Sequence, residues 1–152
     1  MNKNNHMRLV LIMIGLYAVT VMSVQAQNWQ TNIDEAKALA AKENRKIVLV
    51  FQGSDWCAPC IKLEREIWST EEFNHYARDH FIMLQADFPR KKNNKLSAEL
   101  QEHNEKLAER YNKHGYFPFV LVLDKEGKVL GETGYKKMSP SEYIKLLESF
   151  KS

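Results

Sequence analysis

Two spacings of apolar residues run through the chain. The runs Ile47-Val48-Leu49-Val50-Phe51 and Phe81-Ile82-Met83-Leu84 are short, unbroken and rich in β-branched or large side chains, which predicts strands buried on both faces. Between and around them the spacing becomes helical. Ile33, Ala36, Leu39 and Ala40 mark one buried face, with Thr31 or Asn32 as cap and Asp34 and Glu35 in the favourable first turn. After Cys60, Leu63 and Ile67 recur at helical spacing while Lys62, Arg65 and Glu66 fall elsewhere. Ser69-Thr70-Glu71-Glu72 reads as a capping box opening a short helix through about Asp79. From Leu96, the series Leu100, Leu107 and Tyr111 predicts an amphipathic helix supported by Glu102–Lys106 and Glu109–Lys113 pairs.

The C-terminal third predicts a hairpin and a last helix. Phe119 to Leu123 is a strand, Asp124-Lys125-Glu126-Gly127 a turn, and Val129 to Thr133 the return strand. Ser139-Pro140-Ser141-Glu142 is a second capping box, with Tyr143, Ile144, Leu147 and Phe150 lining the helix it opens. With Asn28-Trp29-Gln30 as a short first strand, the order is β-α-β-α-β-α-β-β-α. That is an α/β fold with a central mixed sheet and helices on both faces.

The N-terminus follows a different rule. Lys3 and Arg8 precede an uncharged stretch from Leu9 to Val24, and Val24-Gln25-Ala26 has short residues where a signal peptidase reads. Residues 1–26 are therefore expected to be a secretory signal peptide, the sixteen uncharged residues being too few for the roughly 20 of a membrane span. Residues 27–152 form one domain. They carry 20 basic against 19 acidic residues, so the net charge of +3 for the whole chain is partly a targeting feature. No concentrated basic face of the kind nucleic acid requires is apparent.

The chain has two cysteines, Cys57 and Cys60, in Gly53-Ser54-Asp55-Trp56-Cys57-Ala58-Pro59-Cys60, where the first buried strand hands over to a helix. A helix N-terminus carries unpaired N–H groups and partial positive charge, both of which favour a thiolate, and Cys57 is placed to benefit. Such a thiolate attacks a disulfide in another molecule, and a thiol three positions on resolves the mixed disulfide. Pro59 suits the first helical turn, where its missing N–H costs nothing. A pair of zinc ligands or an inert disulfide is the bland alternative; it lacks a second cysteine pair to complete a closed site.

Trp56-Cys57-Ala58-Pro59-Cys60 after a buried strand resembles the active site of the thioredoxin family, with Ala58 in place of the usual glycine. The resemblance covers residues 28 to 150 and implies the thioredoxin fold, whose element order matches the one read above. It also implies that Pro118, opening the hairpin strand, is cis and lies against the active-site disulfide, and that Phe117 before it pairs with the substrate backbone. Trp56 then forms a flat platform beside the disulfide. Phe119 stands where many members have threonine. Members usually keep a buried aspartate six positions before the first cysteine; here that position is Phe51. Glu64, four residues after Cys60 and on the same helix face, is the candidate to take the proton from Cys60. A glutamate there is similar to the periplasmic C-terminal domain of the transmembrane thiol:disulfide interchange reductase.

The resulting expectation is a monomeric, exported or periplasmic thiol-disulfide oxidoreductase, working as a reductase on exported proteins with disulfides. No cofactor and no metal are expected, and a membrane-borne dithiol donor is. The alternatives are a non-catalytic peptide-binding module on the same scaffold and a copper or zinc carrier. His75, His80, His103 and His114 share no ligand spacing with the cysteines and are expected at the surface. Pro89-Arg90-Lys91-Lys92-Asn93-Asn94-Lys95 reads as a solvated loop, with contact to an acidic partner as its functional alternative.

Overall fold

The computed structural model describes residues 28–151, and the leader assigned to residues 1–26 lies outside them. Strand β1 (Lys46–Gln52) is the middle of the molecule, with Ile47 to Phe51 all buried. It pairs in parallel with β2 (Phe81–Asp87), from Lys46 opposite Phe81 to Gln52 opposite Asp87. On its other side it runs antiparallel to β3 (Phe119–Leu123), which in turn pairs with β4 (Val129–Thr133), for the order β2-β1-β3-β4. The strand expected at residues 28–30 is reduced to one bridge, Gln30 to Leu84. The cause is next in the chain: Asn32 turns its side chain onto the N–H groups of Asp34 and Glu35 and starts a helix, so the backbone leaves the sheet after a single residue.

That helix, α1 (Ile33–Glu43), ends at Asn44 in the left-handed region (φ 52°), a conformation asparagine tolerates better than most residues. Helix α2 (Ala58–Leu63) runs on without a break into a wider π turn over Glu64–Trp68. In α3 (Glu71–His80) the cap is Thr70, one residue later than the 69–72 box implied. Ser69 still has helical backbone angles because it closes the π turn, and Thr70 is the first extended residue, its Oγ1 accepting the Phe73 N–H. Helix α4 (Ala98–Tyr111) carries the expected Glu102–Lys106 pair at 2.7 Å; it ends at Tyr111, so Lys113 lies beyond it and no partner turn is available for Glu109. The box at Ser139 and Glu142 opens α5 (Pro140–Ser149) as read.

Alternation along the strands divides the core in two. Val48, Val50, Met83, Val120 and Val122 pack under α2, α3 and α5 against Leu63, Trp68, Phe73 and Tyr143. Ile47, Leu49, Phe51, Leu84 and Leu121 pack under α1 and α4 against Ala36, Ala40 and Leu107. Each such side chain contributes roughly 1.5–3 kcal/mol on burial, so both faces hold β1 rigid. Everything at its carboxyl end is mounted on that strand.

Candidate active site

Beyond Gln52 the chain turns on Gly53, whose carbonyl accepts the N–H groups of Trp56 (3.3 Å) and Cys57 (2.9 Å). Cys57 is extended (φ −88°, ψ 98°) and is the cap of α2, its Sγ accepting the Cys60 N–H at 3.3 Å. Cys57 and Cys60 form a disulfide with 5.2 Å between Cα atoms. Both are buried, while Ala58 and Pro59 between them are exposed. A sulfur that caps a helix is held where the backbone donors meet, which is the arrangement that favours its ionised form.

One side of the disulfide opens into a cleft of about 340 Å³ lined by Trp29, Gln52, Ser54, Cys60, Ile61, Glu64 and Gln85. Glu64 is thus in the same cleft as Cys60, as its helical spacing implied. Its carboxylate is exposed rather than partly buried and accepts the Ser69 hydroxyl at 2.7 Å, across the π turn that the Ser69 N–H closes onto the Glu64 carbonyl. A larger open hollow between α3 and α5, lined by His75, Tyr76, Ile144 and Glu148 among others, contains neither cysteine.

The other side is built by Trp56. Its ring lies on Gly53, where a Cβ would fall 2.3 Å from Cε2, so only glycine leaves the indole room. The indole Nε1 donates to the Phe88 carbonyl at 2.7 Å, and the Phe117 ring meets it edge-on with 5.4 Å between centroids. The Phe117–Pro118 peptide is cis. Pro118 directly precedes Phe119, which pairs with Phe51 at the carboxyl end of β1, and the Trp56–Phe117 contact ties this bend to the active-site turn. Behind this turn, the Gly134 Cα approaches so closely that a Cβ would sit 3.1 Å from the Pro118 carbonyl oxygen, and Tyr143 donates its hydroxyl proton to the Gly134 carbonyl at 2.9 Å.

The basic segment after β2 is more than a solvated loop. Asp55 accepts the backbone N–H groups of Arg90 and Lys91, each at 3.0 Å, and the Asn94 amide at 2.9 Å. The Arg90 N–H, chiefly, holds the Asp55 carboxyl below its ordinary range. Asp87 accepts from the backbone and hydroxyl of Ser54, and the Arg90 guanidinium lies 3.7 Å above the Trp56 ring. The tie between Asp55 and Arg90 was not legible, since nothing in their spacing pairs residue 55 with residue 90. His75, His80 and His114 are exposed, but His103 is half-buried, its Nε2 accepting the Ile33 N–H. Among the described residues no group of three His, Cys, Asp or Glu side chains is arranged to hold a metal.

A four-stranded mixed sheet with a buried Cys-x-x-Cys disulfide capping the helix after its central strand, and a cis-proline at the neighbouring strand, defines a thioredoxin-fold thiol-disulfide oxidoreductase. Residues 28–125 match the family model described as thioredoxin-like, and the chain belongs to that family. It is 35% identical over 115 residues to the disulfide bond reductase DsbH of Chlamydia pneumoniae, covering 76% of this chain and 68% of that protein. The solved structure of a DsbH oxidoreductase superposes with a TM-score of 0.76 at 31% identity, over 88% of this chain and 90% of that one. The oxidised C-terminal domain of DsbD from Neisseria meningitidis shares the fold, with a TM-score of 0.54 at 18% identity over 78% and 91% of the two chains.

Proposed function

We propose that the chain is exported by a signal peptide cleaved after Ala26 and works outside the cytoplasm as a protein-disulfide reductase. The observation that carries the chemistry is that the Cys57 sulfur is itself the cap of α2. In the reduced protein the Cys57 thiolate attacks one sulfur of a substrate disulfide; a Cys57–substrate bond forms, and the other substrate sulfur leaves as a thiolate that takes up a proton. Cys60 then gives its proton to Glu64 across their shared cleft and attacks the Cys57 sulfur. The Cys57–Cys60 bond forms, the second substrate thiol leaves, and two electrons have passed to the substrate.

Trp56, Phe117 and the cis Pro118 shape the groove in which the substrate chain lies, and the exposed Ala58-Pro59 spacer lets it approach. The cycle needs a dithiol to reduce the protein again. A glutathione buffer does not hold the bacterial periplasm reducing, so a membrane-borne dithiol protein suits that role. The direction of exchange is supported by the DsbH relative, a disulfide bond reductase.

The test is the equilibrium reduction potential of residues 27–152, by equilibration in graded thiol-disulfide buffers and mass counting of alkylated cysteines. The expected value is near that of thioredoxin, about −270 mV. A value near the oxidising end, about −120 mV, would reverse the direction, and a pair that never cycles would remove the enzyme reading.

A further inference from the structure

The segment Arg90 to Lys95 holds four cations within six residues, although residues 27–152 as a whole are almost neutral. Arg90, Lys91, Lys92 and Lys95 are all exposed. A solvated loop of that composition repels itself and gains nothing from being fixed. This one is fixed, and to the active-site turn in particular.

Residues 87–94 are joined to residues 52–56 by seven hydrogen bonds: two from Ser54 to Asp87, Phe88 N–H to the Gln52 carbonyl, Trp56 Nε1 to the Phe88 carbonyl, and three onto Asp55. A further turn, Asn94 N–H to the Lys91 carbonyl, shapes the cationic stretch itself. Two acidic side chains lie within the assembly, and both direct their oxygens inward to N–H and hydroxyl donors. The cations face out. Arg90 is carried onto the ring of Trp56, the residue before Cys57 in the chain, so the first cation of the loop is seated on the active-site turn, and Lys91, Lys92 and Lys95 follow it exposed. Lys95 shares a small cavity with Glu105.

We propose that this tethered loop is a docking surface that selects protein disulfides whose cysteine is flanked by acidic residues. The proposal rests on the thiol-disulfide exchange reading and supplies its substrate class. Charges held in place ahead of binding raise the encounter rate with a complementary chain and cost no ordering when it arrives. Asp55 is a positioning residue here: it fixes the loop and has no contact with the reacting sulfurs in this arrangement.

The test uses three synthetic peptides of one sequence, each with a single cysteine in mixed disulfide with 2-mercaptoethanol and with Glu, Gln or Lys on both flanks. The pre-reduced protein is mixed with each and the second-order rate of peptide thiol release is measured. At low ionic strength the Glu peptide is expected to react about tenfold faster than the Lys peptide, with the ratio collapsing toward one in about 0.5 M salt. The triple variant Lys91→Gln/Lys92→Gln/Lys95→Gln should lose most of that ratio. Asp55→Asn, which keeps all four cations but releases the loop, should lose it in part, which a mere excess of positive charge would not do. Equal rates for the three peptides with the unaltered protein, or an undiminished ratio in the triple variant, would overturn the proposal. The exchange reading is tested separately by the neutral 2-hydroxyethyl disulfide. If that is not reduced, the same peptides in thiol form are compared by equilibrium binding, and equal affinities would again overturn the docking surface.

Discussion

Gly53→Ala is the substitution that most directly tests how Trp56 is held. The new methyl carbon would lie 2.3 Å from Cε2, 2.5 Å from Nε1 and 2.6 Å from Cζ2 of the indole, all inside contact distance, so the ring must swing away. Three interactions go with it. The 2.7 Å bond from Nε1 to the Phe88 carbonyl contributes about 1 kcal/mol. The Arg90 stacking at 3.7 Å adds about 0.5–1 kcal/mol, and the edge contact with Phe117 a further 0.5–1.5 kcal/mol or so. Against this, alanine restricts the unfolded chain and returns about 0.4–1 kcal/mol. The net cost is about 1–3 kcal/mol, equivalent to a fall in Tm of roughly 4–11 °C for a domain of this size.

Urea unfolding of the oxidised protein, followed by far-ultraviolet circular dichroism, measures the loss. The indole N–H resonance of Trp56 should shift in the same variant. A second comparison makes the cause specific: Arg90→Gln should cost less in the Gly53→Ala background than alone, because the stacking it removes is already gone. Stability within about 0.5 kcal/mol of the unaltered protein together with an unmoved indole resonance would refute the account of Gly53 as the seat of Trp56.

Two further outcomes follow from the same neighbourhood. Because the Asp55 carboxyl is held below its ordinary value of 3.8, its tie to the loop is fully present above that pH and is lost as pH falls through the folded value; the protection of the Arg90 and Lys91 amides, taken relative to their intrinsic exchange at each pH, should therefore fall on acidification from about pH 5 to about pH 2, and Asp55→Asn should abolish that pH dependence. Tyr143, fully buried and with its ionisation pushed upward by burial, donates to the Gly134 carbonyl. Tyr143→Phe should cost about 1–2 kcal/mol in denaturant unfolding, since it leaves a carbonyl short of its donor just behind the Pro118 turn.

The parts of this molecule that were legible in its sequence are those decided by near neighbours in the chain. Ile47 to Phe51 announce a doubly buried strand, Ser139 with Glu142 a helix start, and Trp56 to Cys60 a redox turn. Pro118 was readable only because family resemblance gives that position a meaning; composition alone does not make a peptide cis. What escaped depends on distant partners or on one backbone angle. Residues 28–30 have strand character, but Asn32 takes the chain away. Thr70 displaces Ser69 as cap because the π turn extends the preceding helix by a residue, and a π turn has no local signature in Glu64 to Trp68. The basic segment looked free because the carboxylate that fastens it, Asp55, lies thirty-five residues upstream of Arg90.

The direction of β1 separates the molecule into two ends with different freedoms. Its carboxyl end leads into Gly53 and the disulfide, where backbone carbonyls, aromatic rings and the tethered loop leave little slack. Since β3 runs the opposite way, with Leu123 beside Ile47, the chain reversal of the hairpin falls at the other end, where Asn44, Arg45, Asp124, Lys125 and Glu126 border one shallow hollow. The hairpin tip is self-sufficient: Asp124 accepts the N–H groups of Glu126 and Lys128, and Gly127 takes the positive φ of 88° that the turn demands, leaving Lys125 and Glu126 in solvent. Length added between those two residues meets no part of the redox machinery. Evolution can lengthen the protein there, and so can an engineer seeking a point to graft a label, a tether or a second domain.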